Sequence, residues 1–258
     1  MAKWTAFPYD DVDYTYDLAA LKKAWPQLHA GDAEPWPTDK AVQQAWVLFH
    51  AGEFQKAHEA GLKAGGAAGI TVANKAQAIY ANYLEPSEKL KLTMFQAVAE
   101  RAEALLAEHS QQPNAHYWMA YALGRYSQGI SVTKALSLGL GSKVKTALET
   151  TIALAPQHAD AHIALGAFHA EVIDKVGKLL GRTQGADAAT GLKLFQQARK
   201  LNPGSAIAMI EYANGLAMLE GSKRMKEAEQ LYADAAACEA ADAMERLDVE
   251  LAKSELEE

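Results

Sequence analysis

Cysteine is nearly absent from this chain: Cys238 stands alone among 258 residues. That excludes a disulfide framework and any zinc site built from several thiolates. No stretch approaches the roughly 18 uncharged apolar residues that a membrane-spanning helix requires. The start, Met1 to Asp11, has no apolar core of the kind a secretory leader carries, so the expected compartment is the cytoplasm. Basic residues are outnumbered, 25 against 32 acidic, for a formal net charge of -7. A protein that grips nucleic acid by general electrostatics has the opposite balance. Period-two alternation is missing too, so no strand is expected. Half of the residues are hydrophobic, which excludes a disordered chain and provides for a sizeable core.

What is present is repetition. A small residue, a second residue four on and a small one three further recur as Ala57-Gly61-Ala64, Gly191-Phe195-Ala198 and Ala228-Tyr232-Ala235, with a degenerate copy at Val144-Leu148-Thr151. Pro156 and Pro203 each follow such a run by five residues. Small residues let two helices approach, a large one fills the gap and proline ends the helix, as in the second helix of a tetratricopeptide (TPR) hairpin. Matching first helices begin at Ala115, Ala161 and Ala208, and more weakly at Ala76, while Ala45–Phe54 resembles the end of a first helix and its turn. The starts at 115, 161 and 208 lie well beyond the ~34-residue spacing of an ordinary TPR. The central repeats therefore carry inserts, 127–142 and 174–190, rich in glycine and each with a short apolar helical piece, Val132–Leu140 and Val176–Leu180.

The expected architecture is all-α: a TPR-like right-handed superhelix of helical hairpins with enlarged central repeats. Residues 1–38 form an arm with one helix, about Asp17–His29, broken by Pro26. Residues 39–258 form the solenoid, with hairpins at about 39–65, 72–109, 114–155, 159–202 and 205–237. A closing helix at 239–256 has an acidic, solvating outer face suited to a terminal cap.

Chemistry-bearing motifs are scarce. His158 and His162 are four apart and His169 is seven further on, but the zinc-protease glutamate is missing between the first two. Packing explains them more simply than a metal, and no metal or cofactor is expected. Ser137–Lys143 has a superficial likeness to a phosphate loop. The spacing fails and no strand precedes it, so Ser142 reads as a helix N-cap. Cys238, in an alanine run, reads as a small buried hydrophobe. No nucleophile has a recognisable motif around it, so the chain is not expected to be an enzyme. Positions facing the concave side of a TPR include Ala78, Asn82, Tyr117, Tyr121, Arg125, Ile163, Ala167, Ile210 and Asn214. Asparagine can bind an extended peptide backbone, arginine can fork a carboxylate, and tyrosine adds apolar area with a polar tip. Asn82, Tyr117, Tyr121, Arg125, Ile163, Ile210 and Asn214 are the candidate ligand-binding residues.

Residues 114–203, above all His116–Arg125 followed by Ala161–Gly166, resemble a divergent bacterial TPR family. It is related to the TPR domain of the eukaryotic regulator of microtubule dynamics proteins. TPR proteins associated with TRAP transporters are a more distant likeness. The resemblance implies an all-helical fold with enlarged hairpins, no enzymatic activity and, for some members of the wider group, the handling of lipids or apolar ligands. The expected function is a scaffold for a protein or peptide partner in the concave groove. The alternative is a binder of an apolar or anionic small ligand, such as a lipid, enclosed by the glycine-rich inserts. The Trp4–Tyr9 arm suggests no role.

Overall fold

In a computed structural model, which describes residues 3–257, the chain is all helical, with no strand among the described residues. The helices are α1 (Leu18–Leu28), α2 (Lys40–His50), α3 (Phe54–Ala64), α4 (Gly66–Tyr83), α5 (Glu88–Glu108), α6 (Pro113–Gln128), α7 (Val132–Ser137), α8 (Leu140–Leu154), α9 (Ala159–Thr183), α10 (Ala188–Leu201), α11 (Ala206–Glu220), α12 (Met225–Ala236) and α13 (Ala243–Glu257). A 3₁₀ turn, Gly221–Arg224, leads into α12. Local chemistry sets many of the starts. Asp17, Asp39, Ser87, Ser131, Asp187 and Ser205 each cap a helix by accepting a hydrogen bond from a backbone N–H of its first turn, a donor that the helix itself leaves unpaired.

The chain divides into two compact units. The first comprises the residues up to His29, Glu34–Thr150 and Ala241–Met244. Here α2 packs on α3, α3 on α4, α4 on α5 and α5 on α6. The close fit of α3 on α4 rests on two glycines. A Cβ at Gly61 would lie 2.7 Å from the Gly69 carbonyl oxygen, and one at Gly69 would lie 2.6 Å from that of Gly61. A second core joins α1 to α2 through rings. Trp25 stacks on His29 at 3.8 Å and meets Trp46 edge-on at 5.6 Å. The buried His50 ring approaches the His29 Nε2 with its own Nε2 at 3.3 Å, and its Nδ1 lies 2.6 Å from Asp242 Oδ2. Tyr16 donates its hydroxyl to the Ala241 carbonyl at 2.8 Å. Residues 241–244 thus complete a core whose other members lie near the start of the chain.

The second unit comprises Ala30–Ala33, Thr151–Ala240 and the chain from Glu245. Its α9, α10 and α11 pack on one another, and α12 packs on α11. Phe195, fully buried on α10, fills the space beside two glycines. A Cβ at Gly166 would meet its ring at 3.0 Å and one at Gly215 at 2.4 Å. Gly191, Phe195 and Ala198 of the small–large–small pattern are all buried on α10, and glycines of α9 and α11 make room for the ring. Val249 and Ala252 of α13 join the same core as Met209, Ile210, Leu216 and Leu231.

The structure revises several expectations. Pro26 does not break α1 but sits inside its last turn, two residues before the end. The helical piece expected at Val176–Leu180 is not a separate element inside the 174–190 insert, and residues 184–187 form the insert's only loop among the described residues. That piece prolongs α9 to Thr183 through one non-helical residue, Gly177 (φ 79°, ψ 161°), a conformation that glycine adopts without a Cβ penalty. Ser142 is not an N-cap: α8 starts two residues earlier, after Gly139 at φ 62°. Asp242 does not belong to a solvating outer face but is a buried partner of His50. Cys238 is half-buried rather than buried and donates to the Asp234 carbonyl at 3.4 Å. Burial, and then the carboxylates of Glu245 and Asp234, push its thiol pKa up, so it stays protonated.

Candidate functional site

In the first unit a cleft of about 200 Å³ lies where α4 turns into α5 and α6 ends. Asn82 stands on the last turn of α4, Lys91, Leu92 and Phe95 on α5, and Arg125 and Gln128 on α6, with Gly129 beyond. Leu92 and Phe95 supply apolar wall. Gly129 sits against Leu92: a Cβ there would lie 2.6 Å from the end of the Leu92 side chain, which would have to shift. The polar groups are arranged around that wall. Arg125 donates to Gln128 Oε1 at 3.3 Å and lies over the Tyr121 ring at 5.4 Å. Tyr121 meets Phe95 edge-on at 6.5 Å. Lys91 pairs with Glu88 at 2.8 Å on the solvent side. Two cations against one carboxylate, with two amides alongside, can receive a carboxylate or a main-chain carbonyl and amide.

Of the seven residues singled out from sequence, this cleft brings together Asn82 and Arg125, with Tyr121 beneath the guanidinium. Tyr117 is buried against Trp118, with ring centroids 4.9 Å apart. Ile163 and Ile210 are core residues of the second unit rather than parts of an open face. Asn214 accepts a hydrogen bond from the Tyr232 hydroxyl, tying α11 to α12. Sequence reasoning missed Lys91, Leu92 and Gln128. The first two lie on a second helix, where the concave-face rule does not look, and Gln128 was placed in an insert.

Beside the cleft, α4 carries a polar seam into the core. Arg101 on α5 donates to Asn74 Oδ1 and Gln77 Oε1, both at 2.7 Å, and Gln77 donates to the Met94 carbonyl at 2.9 Å. Burial draws the Arg101 pKa below its usual range. Lys75 is fully buried with its ammonium 5.2 Å from the Phe49 ring and 5.6 Å from that of Trp46.

The histidines serve local structure. His158 caps α9, its Nδ1 accepting from the Ala161 N–H at 3.1 Å. His162 directs its Nδ1 at the His158 carbonyl, and His169 Nδ1 accepts from the Asp187 N–H. No group of three or more potential metal ligands occurs among the described residues. Several large apolar side chains of the inserts are exposed, namely Val132, Leu136 and Leu138, with Leu179 and Leu180 at 79% and 60%, whereas Leu140 and Ala186 are buried. Among the described residues no helix is long and apolar enough to cross a membrane.

Comparison with known proteins agrees with the all-helical repeat fold. A family model described as regulator of microtubule dynamics protein 1-3 matches residues 70–257. No curated protein matches the chain. The chain is similar to the crystal structure of TTC0263, a thermophilic TPR protein of Thermus thermophilus, at 16% identity and a TM-score of 0.59. That likeness covers 83% of this chain and 97% of the other, and shows a TPR-like fold.

Proposed function

Since the chain belongs to the regulator of microtubule dynamics 1-3 family and has a TPR-like fold, we propose that it is a non-enzymatic scaffold that holds a segment of a protein or peptide partner. The observation that carries this reading is the meeting of Asn82 and Arg125 in one cleft. They come from the first helices of successive hairpins, positions that the repeat pattern marks for ligand contact. Lys91 and Arg125 attract an acidic group of the segment, Asn82 and Gln128 address its main chain, and Leu92 and Phe95 take an apolar side chain. A cytoplasmic setting is part of the reading, and one cysteine in 258 residues fits a reducing compartment.

The test is affinity purification from the native cell with wild type, Arg125→Ala and Lys91→Ala. Each substitution removes a charge-assisted contact worth about 1.5–3 kcal/mol, so recovery of the partner is expected to fall about tenfold or more. A partner recovered equally by wild type and both variants overturns the cleft assignment. Asn214→Ala, which removes the hydrogen bond from Tyr232 and lies outside the cleft, is the control that leaves binding unchanged.

A further inference from the structure

Three large apolar side chains stand in water on or beside a helix that buries nothing. α7 has six residues, none of them buried. Val132, Leu136 and Leu138 are 45%, 54% and 46% exposed. Ser131 caps the helix, accepting from the Lys134 N–H at 3.3 Å, and the buried Leu140 and Val144 return the chain to the core. A single exposed leucine is ordinary, whereas several on one short segment mark a surface that meets something apolar.

The charges around them narrow what that is. The chain carries a net charge of -7, yet no aspartate or glutamate lies between Glu108 and Glu149. That interval holds Arg125, Lys134, Lys143 and Lys145. Lys145 pairs with Glu149 and Arg125 lines the cleft. Lys134 and Lys143 are exposed and flank Leu136 and Leu138 in the chain. Lys134 Nζ lies 5.8 Å from the Tyr126 ring. A stable protein interface takes about 800 Å² from each side, more than so short a helix presents. A bilayer sets no such demand. It deforms round the apolar chains that enter it, and its anionic head groups attract each lysine near the surface. The following insert repeats the combination. From Lys175 through Lys178 to Arg182 no acidic residue occurs, and Leu179 and Leu180 are exposed together with Lys178 and Arg182.

We propose that α7 and the turn after it form a docking element for an anionic bilayer surface, and that Leu179 and Leu180 with Lys178 and Arg182 form a second such element. Val132, Leu136 and Leu138 enter the boundary between head groups and acyl chains, while Lys134 and Lys143 stay among the phosphates. The contact is with the surface and takes no lipid out of it. The absence of carboxylates from these stretches spares them the repulsion that a chain of net negative charge meets elsewhere, since charges beyond about 10 Å are screened.

The test is co-sedimentation of the full chain with phosphatidylcholine vesicles, with and without phosphatidylserine. Wild type is expected to sediment with the anionic vesicles alone, and added salt to release it. Leu136→Ser/Leu138→Ser and Lys134→Ala/Lys143→Ala are each expected to weaken binding about tenfold or more. Leu179→Ser/Leu180→Ser does the same for the second element, and an unchanged result there overturns that element alone. Circular dichroism checks the fold of each variant; should a leucine pair misfold, the lysine pair decides. No binding to anionic vesicles, equal binding without phosphatidylserine, or indifference to both α7 pairs overturns the proposal. So does capture of polyglutamate but not of vesicles, because the occupant would then be an acidic protein.

Discussion

Gly61 shows how much one hydrogen atom in place of a methyl group can decide. Its neighbours across the α3–α4 contact are backbone atoms, the Gly69 oxygen and the Ala73 nitrogen, which have no rotamer to yield. Gly61→Ala is expected to lower stability by about 1–3 kcal/mol, read as a lower denaturant midpoint. Phe195→Ala opens a void between Gly166 and Gly215 and is expected to cost about 3–5 kcal/mol. His58 gives a pH signature. Burial lowers its pKa from the ordinary 6.5, and Arg101 adds to that, against the opposing hydrogen bond to Ala73 and the charge of Glu59. The unfolded chain therefore takes up this proton first as pH falls. The contribution is present above pH 6.5 and is lost as acid is added. His58→Gln is expected to flatten the stability profile below that pH. Tyr232 acts at the other end. Burial, then Glu255 and Glu211, push its pKa up to about 12, with the bond to Asn214 opposing. Unfolded tyrosine ionises near 10, so stability falls as pH climbs from there towards 12, a slope that Tyr232→Phe removes in chemical denaturation.

Among the helices, those with a strong repeat pattern are legible from sequence, and the reason is physical. Gly191-Phe195-Ala198 states its own packing: two small residues flank the ring that fills the interhelical space. The caps read equally well: Ser205 precedes α11 and accepts from the Ala208 N–H at 3.2 Å, and Ser205→Ala is expected to cost about 1 kcal/mol. In the stretch 174–190 the helical piece Val176–Leu180 is readable, but its continuity with the preceding helix is hidden because the glycines resemble loop punctuation. In the structure, one of them, Gly177, lets a helix change direction and resume. Gly177→Ala forces a side chain into a conformation essentially reserved for glycine, at about 1–3 kcal/mol. The expected result is faster amide exchange over residues 178–183. Two residues of the candidate cleft are readable for a similar reason. Asn82 and Arg125 occupy repeat positions. Lys91 and Gln128 are ordinary polar residues in sequence and become neighbours only when α4, α5 and α6 come together.

Across the molecule, the pattern least visible in sequence is pairing at long range. The rings of Trp4, Phe7 and Tyr14 carry no periodicity that names their partners, and the Asp242–His50 contact joins residues 192 positions apart. Removing it by Asp242→Ala strips a buried imidazole of its acceptor. That is expected to cost about 1.5–3 kcal/mol, measured by the melting of wild type and variant. The same contact bears on how the protein is made. Chains emerge from the ribosome start first, and early domains usually finish while later ones are still being translated. Here the earliest helices must wait with a ring-lined gap until residues 241–244 have been synthesised, so the nascent protein depends on a late-made stretch to seal its beginning.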